Sequence, residues 1–163
     1  MYVTIDFTNT SGSTCTMFGY PGVSLVTGPP YQQLGVPAKR TTTTRAKVVA
    51  LAPGATANAV LQIVDALNFP SPSCQPAKAT ALKVYPPNQF TAVYLPDTSY
   101  GCGNPVQTMY IAPVRLCGYG VDAAFMSFYM HGWDIHALRS GTAGTRETEV
   151  TLAAACCRTA TTG

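Results

Sequence analysis

Short segments in which apolar and polar residues alternate recur along the first two-thirds of the chain, and glycine or proline separates most of them. In residues 2–8 (YVTIDFT), Val3, Ile5 and Phe7 fall on one face of an extended strand. Similar segments lie at 15–18, 23–26, 45–51, 55–67, 79–85, 90–95 and 106–114. This spacing predicts an all-β fold, an antiparallel β-sandwich of about seven strands.

One segment and one turn need separate comment. Residues 55–67 have the alanine and leucine content of a helix, but the Pro53-Gly54 breaker and the strand-rich surroundings favour a strand. The stretch GYPG (19–22) is predicted to be a sharp corner between strands, with positive φ accessible at Gly19 and Gly22. Residues 27–40 and 69–76 are predicted to be loops because they are rich in glycine and proline.

The composition restricts the class of protein. Charged residues make up 10% of the 163 residues, against roughly 25% in an average globular protein. Lys39, Arg40, Arg45 and Lys47 flank four threonines with no aromatic residue among them, so a solvated loop is favoured over a nucleic-acid groove. The sequence contains no run of 18 apolar residues, so it predicts no membrane span, and residues 1–11 lack the features of a signal peptide.

Residues 116–163 differ in composition from residues 1–115. The first part contains seven Lys and Arg and three Asp and Glu, whereas the second contains three and four. We therefore divide the chain into a β-sandwich domain at 1–115 and an atypical C-terminal extension at 116–163. The extension is interpreted as a short helix at 121–133 plus disorder.

The sequence HGWDIH (131–136) contains the only cluster of metal-ligand side chains. Asp134 and His136 would share one face of a strand, and Glu147 or Glu149 would complete a zinc site with them. His131 would face the other side. The favoured interpretation gives these residues no chemical role, and we predict no cofactor and no metal.

Four other positions suggest chemistry only weakly. Ser24 lacks the second glycine of a nucleophile elbow and is interpreted as a solvent-facing strand residue. Cys15 has no histidine nearby in sequence and is assigned a structural role. Asn9 opens an N-glycosylation triplet (9–11), a match that arises often by chance. Tyr20 is expected to pack over its own turn rather than to bind a ligand.

The six cysteines are widely spaced, with one adjacent pair and no C-x-x-C motif: Cys15, Cys74, Cys102, Cys117, Cys156 and Cys157. Scattered cysteines in a chain rich in threonine, glycine and proline favour an oxidising compartment. Six cysteines allow 15 pairings, and spacing alone does not choose among them.

Four stretches together resemble a known family: residues 7–26, 51–63, 73–89 and 102–114. The pattern N-T-S-x-x-x-C-x-x-x-G-Y-P-G-V (9–23) is the most specific of them. The chain is similar, over residues 1–115, to a domain of unknown function found in secreted proteins and lipoproteins of mycobacteria and streptomycetes.

The resemblance implies an immunoglobulin-like β-sandwich outside the cytoplasm with no assigned enzymatic activity. It also implies a disulfide between Cys74 and Cys102. Relatives carry a further N-terminal strand before the equivalent of residue 2. We therefore expect the sheet edge that this strand would cover to be unpaired, and Cys15 to lack a partner. Residues 116–163 match nothing in this family.

We therefore predict a non-enzymatic domain of the cell envelope or extracellular space that interacts with an unknown protein or an envelope glycan, and not with nucleic acid. One alternative is a metal-dependent or nucleophilic hydrolase that uses residues 117–149. Another is a truncated or frame-shifted gene product without independent function.

Overall fold

The computed structural model describes residues 1–116 and the backbone of residues 150–154. Its first seven strands are β1 (Tyr2–Asn9), β2 (Cys15–Phe18), β3 (Gly22–Thr27), β4 (Gln32–Leu34), β5 (Lys39–Arg40), β6 (Val48–Leu51) and β7 (Thr56–Ile63). A 3-10 turn (Ala66–Asn68) and the short helix α1 (Ser71–Cys74) follow. The remaining strands are β8 (Pro76–Lys78), β9 (Ala81–Tyr85), β10 (Val93–Pro96), β11 (Tyr100–Cys102), β12 (Met109–Ile111), β13 (Arg115–Leu116) and β14 (Val150–Ala154).

Two larger sheets and two ribbons make up the fold. The larger sheet has the order β14-β1-β7-β12-β5, with β13 also paired to β7, and the second sheet has the order β10-β9-β3-β4. The ribbons are β11-β8 and β2-β6. Buried residues of both sheets and of the β2-β6 ribbon form one hydrophobic cluster, as in a β-sandwich. The chain is all-β, as the alternating segments predicted.

The alternation in β1 and β7 determines which side chains enter this core. Ile5 and Phe7 are fully buried, and they lie opposite the small residues Ala59 and Ala57 of β7. A bulky side chain on one strand thus meets a methyl group on the other, which lets the sheet pack closely against the second sheet. Within the ambiguous segment 55–67, residues 56–63 form a strand, which confirms the strand interpretation there, whereas the end of the segment enters the 3-10 turn Ala66–Asn68.

Several details differ from the sequence-based expectation. The predicted loop at 27–40 contains the short strands β4 and β5, and the predicted loop at 69–76 contains α1. Strands of two or three residues are too short to show a period of two, so the pattern could not reveal them. At the GYPG corner only Gly19 has positive φ (103°), because Gly22 already belongs to β3.

Two strand pairs are parallel, which departs from the purely antiparallel sandwich that the sequence predicted. They are β12 with β5 and β1 with β14. The second pair also corrects the expectation of an unpaired edge, since β14 covers the side of β1 that faces away from β7. The immunoglobulin-like topology in particular stays a prediction. None of the helices within the described ranges is long and apolar enough to cross a membrane.

Candidate functional site

The outer face of the β10-β9-β3-β4 sheet carries a surface of aromatic and polar side chains. On β9 the inward residues Leu82 and Val84 are buried, so Lys83 and Tyr85 project outward. The strand register places Tyr94 of β10 beside Lys83. We call this the tyrosine surface; its members are Ser24, Tyr31, Gln33, Lys83, Tyr85 and Tyr94.

A stacked pair of tyrosines dominates the tyrosine surface. The rings of Tyr31 and Tyr94 have centroids 4.2 Å apart and planes 15° apart. Tyr31 directly precedes β4, whereas Tyr94 lies on β10, so the pair reaches across the two strands between them. Both residues remain exposed, by 48% and 39%. An ordered aromatic pair that stays open to solvent is available to a ligand.

Lys83 provides the positive charge of the tyrosine surface. Its Nζ lies 5.1 Å from the centroid of the Tyr85 ring, in the range of a cation-π contact. A hydrogen bond to Tyr85 is the main cause that raises the pKa of Lys83 above its ordinary value. Burial lowers the pKa, and the other causes are contacts with Tyr85 and Tyr94. Lys83 therefore places a positive charge among the tyrosines of this surface.

Ser24 belongs to the polar side of the tyrosine surface and has no catalytic partner there. Its register partner on β9 is Lys83, and its hydroxyl lies 3.5 Å from Oε1 of Gln33. Gln33 donates through Nε2 to the carbonyl oxygen of Gly35 at 2.9 Å. Residues 1–116 contain no histidine, so the described part of the chain offers no imidazole base for a serine nucleophile.

A second feature is a cavity of about 540 Å³ beside the β2-β6 ribbon. Three cations line it: Arg45 and Lys47 from the connection before β6, and Arg115 from β13. We call this the basic cavity; the rest of its lining is Thr44, Val48, Val49, Val60, Ala112, Pro113, Val114 and Leu116. The sequence predicted only a solvated basic loop here, because Arg115 is distant in sequence and joins the loop only through the pairing of β13 with β7.

Tyr20 supports the connection that leads to this cavity. Its hydroxyl donates to the carbonyl oxygen of Thr41 at 2.9 Å, and the Arg40 guanidinium lies 5.4 Å from its ring centroid. The ring thus contacts residues 40–44, and its packing over its own turn stays a prediction. Its hydroxyl is already bonded to protein, so Tyr20 has a structural role.

Asn9 is also structural, which overturns its match to the glycosylation triplet. The residue is fully buried. Its Nδ2 donates to the carbonyl oxygens of Leu51 (2.9 Å) and Ser13 (2.8 Å), and its Oδ1 accepts hydrogen bonds from the backbone N–H and the hydroxyl of Ser11. A glycan cannot be attached to a side-chain nitrogen that is buried and donates both its protons in this way.

A further cavity, of about 520 Å³, is lined by the carboxyl-bearing residues Asp65 and Asp97. Each carboxylate accepts a hydrogen bond from its own loop, from the backbone N–H of Leu67 (3.0 Å) and of Ser99 (2.8 Å). These aspartates shape turns. Within residues 1–116, no group of three or more His, Cys, Asp or Glu could hold a metal ion.

The structure contains the disulfide between Cys74 and Cys102 that the resemblance implied. Both residues are buried, and they pack with Ala66, Phe69 and Val106 in a small second cluster. Cys15 is buried in β2, and the identity of its partner stays open. The other candidate residues lie outside the described residues: Cys117, His131, Asp134, His136, Glu147, Glu149, Cys156 and Cys157.

Comparison with known families gives one match. The family described as Domain of unknown function (DUF4232) matches residues 1–115, which is more than half of the chain. No curated protein and no solved structure matches the chain. The division of the chain at residue 115 and the role of the extension stay predictions. On the strength of the family match, the chain belongs to the family Domain of unknown function (DUF4232).

Proposed function

We propose that this chain is a non-enzymatic binding domain of the cell envelope, located outside the cytoplasm, that recognises a glycan through the tyrosine surface. The observation that carries the proposal is the stack of Tyr31 on Tyr94, which is ordered by mutual contact and yet exposed by 48% and 39%. Contiguous exposed apolar patches that polar residues surround are typical of interaction sites in soluble proteins.

The chemistry of the tyrosine surface suits a sugar chain. A pyranose ring presents a face of C–H groups, which the electron-rich face of an aromatic ring attracts, and an edge of hydroxyl groups. Tyr31 and Tyr94 offer the rings, while Ser24 and Gln33 offer hydroxyl and amide groups for the edge. The positive charge of Lys83 favours a glycan that carries carboxylate or phosphate groups.

Two observations support a location outside the cytoplasm. The buried Cys74–Cys102 disulfide is of the kind that forms and persists in oxidising compartments. The family pattern at residues 9–23 resembles that of secreted proteins and lipoproteins of actinobacteria. An envelope domain of that type would meet glycans as its nearest polymers.

The competing functions rest on other parts of the chain or on no specific contact. A hydrolase would use residues 117–149, which lie outside the described residues. No contact within residues 1–116 favours a truncated or frame-shifted product without function. No contact there favours catalysis either. A protein partner would use the same exposed tyrosines, so the experiment below separates it from a glycan.

The test is co-sedimentation of the full chain with insoluble actinobacterial cell wall from which proteins and lipids have been removed. We expect the native protein to sediment with the wall in a saturable way. Replacement of both stacked tyrosines (Tyr31→Ala with Tyr94→Ala) should weaken binding at least tenfold, which corresponds to about 1.4 kcal/mol. The cause is loss of the two rings that would stack on the sugar.

The matched control removes two exposed tyrosines that lie away from this surface, Tyr2 (56% exposed) and Tyr100 (38%). Tyr2→Ala with Tyr100→Ala should leave binding unchanged. Equal losses in the two double variants would contradict the tyrosine surface as the site. Failure of the native protein to sediment would contradict the glycan proposal.

A further inference from the structure

The basic cavity combines positive charge with an apolar lining, and it is separate from the tyrosine surface. Its volume of about 540 Å³ lies within the range of small-molecule sites, roughly 300–1,000 Å³. Arg45, Lys47 and Arg115 line it, and none of the lining residues within 1–116 is a carboxylate. Three clustered cations are complementary to a negatively charged group.

The carboxylates of the described chain are few. Of the three aspartates in residues 1–116, Asp65 and Asp97 line the other cavity. Asp6 is the third, and the register places it beside Asn58 of β7, which in turn pairs with Arg115 of β13. Asp6 and Arg115 therefore lie in one cross-strand row on either side of Asn58, with their backbones roughly 10 Å apart at the usual spacing of strands.

Arg115 is oriented to receive an anion. Its Nε donates to Oδ1 of Asn58 at 3.1 Å, and this contact uses the one guanidinium nitrogen that is not terminal. Both terminal nitrogens are left for a carboxylate or a phosphate, which arginine binds with two parallel hydrogen bonds. Asn58 thus acts as a positioning residue for Arg115.

The remainder of the lining suits a hydrocarbon chain. Val60 and Val114 lie within the cavity, and Val48 and Leu116 line it with exposed fractions of 67% and 53%. Exposed valine and leucine side chains beside a cavity lose contact with water when an apolar ligand covers them. Among the described residues that line the cavity none is aromatic, so they give no support to the stacking of nucleic-acid bases.

We propose that the basic cavity binds a single-chain anionic amphiphile, with the head group on Arg45, Lys47 and Arg115 and the acyl chain on the valine lining. The ligand enters as a free monomer and not as part of a bilayer. Binding of both ends of the ligand requires the loop before β6 and strand β13 to lie together, as they do around this cavity.

The experiment is isothermal titration calorimetry of the full chain with four probes, each single-chain probe kept below its micelle-forming concentration. Dodecyl phosphate supplies both head and chain. Octaethylene glycol dodecyl ether supplies the same chain without charge, inorganic phosphate supplies the head alone, and phosphatidylglycerol vesicles supply an anionic bilayer. We expect saturable one-to-one binding of dodecyl phosphate, and binding at least about tenfold weaker for the other three.

Variants locate the site. Lys47→Gln with Arg115→Gln should weaken dodecyl phosphate binding at least about tenfold. Lys78→Gln, which removes an exposed cation of β8, should leave it unchanged. Val48→Ser, at a position exposed by 67%, should weaken it severalfold. The Tyr31→Ala and Tyr94→Ala variants should bind dodecyl phosphate normally, because that site is separate.

Four results would overturn the proposal. Equal affinity for inorganic phosphate would remove the need for an acyl chain, and binding to vesicles alone would replace the monomer by a membrane surface. Equal losses in Lys78→Gln and in the cavity variant would reduce the interaction to general charge. Non-saturating heat with loss of the far-ultraviolet circular dichroism spectrum would show detergent denaturation in place of a site.

Discussion

At the scale of single residues, the structure separates groups that hold the fold together from groups that remain available. Asn9, Tyr20 and Asp97 all have protein partners for their polar atoms. Tyr31 and Lys83 have contacts that order them and yet leave them open to solvent. The residue types alone do not distinguish the two groups, because both contain tyrosine. The difference lies in the kind of contact: Asn9, Tyr20 and Asp97 bond to backbone groups, whereas aromatic side chains hold Tyr31 and Lys83.

Asn9 gives the first prediction. Asn9→Asp keeps the shape of the side chain but replaces a donor to the carbonyl oxygens of Leu51 and Ser13 by an acceptor. We expect the free energy of unfolding to fall by about 2–4 kcal/mol, because two buried carbonyl groups lose their partner and face a carboxyl oxygen. Urea unfolding measures the change. Asn68→Asp, at an exposed position, is the control and should change stability by less than about 0.5 kcal/mol.

At the scale of elements, the sequence predicted the strands whose alternation extends over several residues. β1, β3, β7 and β9 each bury alternate side chains against the common core, and each coincides with a predicted segment. The short strands β4, β5, β8, β11 and β13 have two or three residues each and exist because a neighbouring strand offers backbone partners. Their presence depends on tertiary pairing, which a local pattern does not contain.

The two surfaces were harder to predict for the same reason. Tyr31 and Tyr94 come together because β10, β9, β3 and β4 form one sheet, so side chains at its two edges can meet across β9 and β3. Arg115 joins Arg45 and Lys47 because β13 pairs with β7. Both contacts depend on strand order, and a single sequence leaves that order open.

The disulfide gives a prediction at this scale. It joins the end of α1 to β11 across a sequence separation of 28 residues. Cys74→Ala with Cys102→Ala should lower the free energy of unfolding by about 3–4 kcal/mol in the chain-entropy account, because the unfolded chain regains the freedom of that loop. Urea unfolding with and without dithiothreitol measures it. The reductant should destabilise the native protein by a similar amount and leave the double variant unchanged; equal stability of all samples would contradict the structural role.

At the scale of the whole molecule, charge and aromatic residues are unevenly distributed around one core. Five of the seven Lys and Arg in residues 1–116 lie on β5, on β13 or in the connection before β6: Lys39, Arg40, Arg45, Lys47 and Arg115. The exposed stacked tyrosines lie on the other sheet. A rigid sandwich with two chemically different surfaces suits a binding domain that meets two different ligands.

The larger sheet extends beyond the family match through β14, and this pairing leads to the last prediction. Asn9 donates its backbone N–H to Ala55, on the β7 side of β1. Because N–H directions alternate along a strand, the N–H groups of Asp6 and Thr8 point toward β14. Thr151→Pro with Leu152→Pro should therefore speed amide hydrogen exchange at Asp6 and Thr8 and leave Phe7 protected. Because N–H directions also alternate along β14, one of the two adjacent prolines must replace a residue whose N–H points toward β1, which removes that hydrogen bond and weakens the pairing.

We expect exchange at Asp6 and Thr8 to be roughly fivefold faster or more, which corresponds to about 1 kcal/mol for each lost hydrogen bond. Hydrogen exchange followed by NMR at single amides measures it. Thr161→Pro with Thr162→Pro, beyond the end of β14, is the matched control and should change neither amide. If the two double variants gave the same exchange rates at Asp6 and Thr8, β14 would not protect this edge. The β1 edge would then be open to pairing with another chain, as the sequence of residues 1–115 alone predicted.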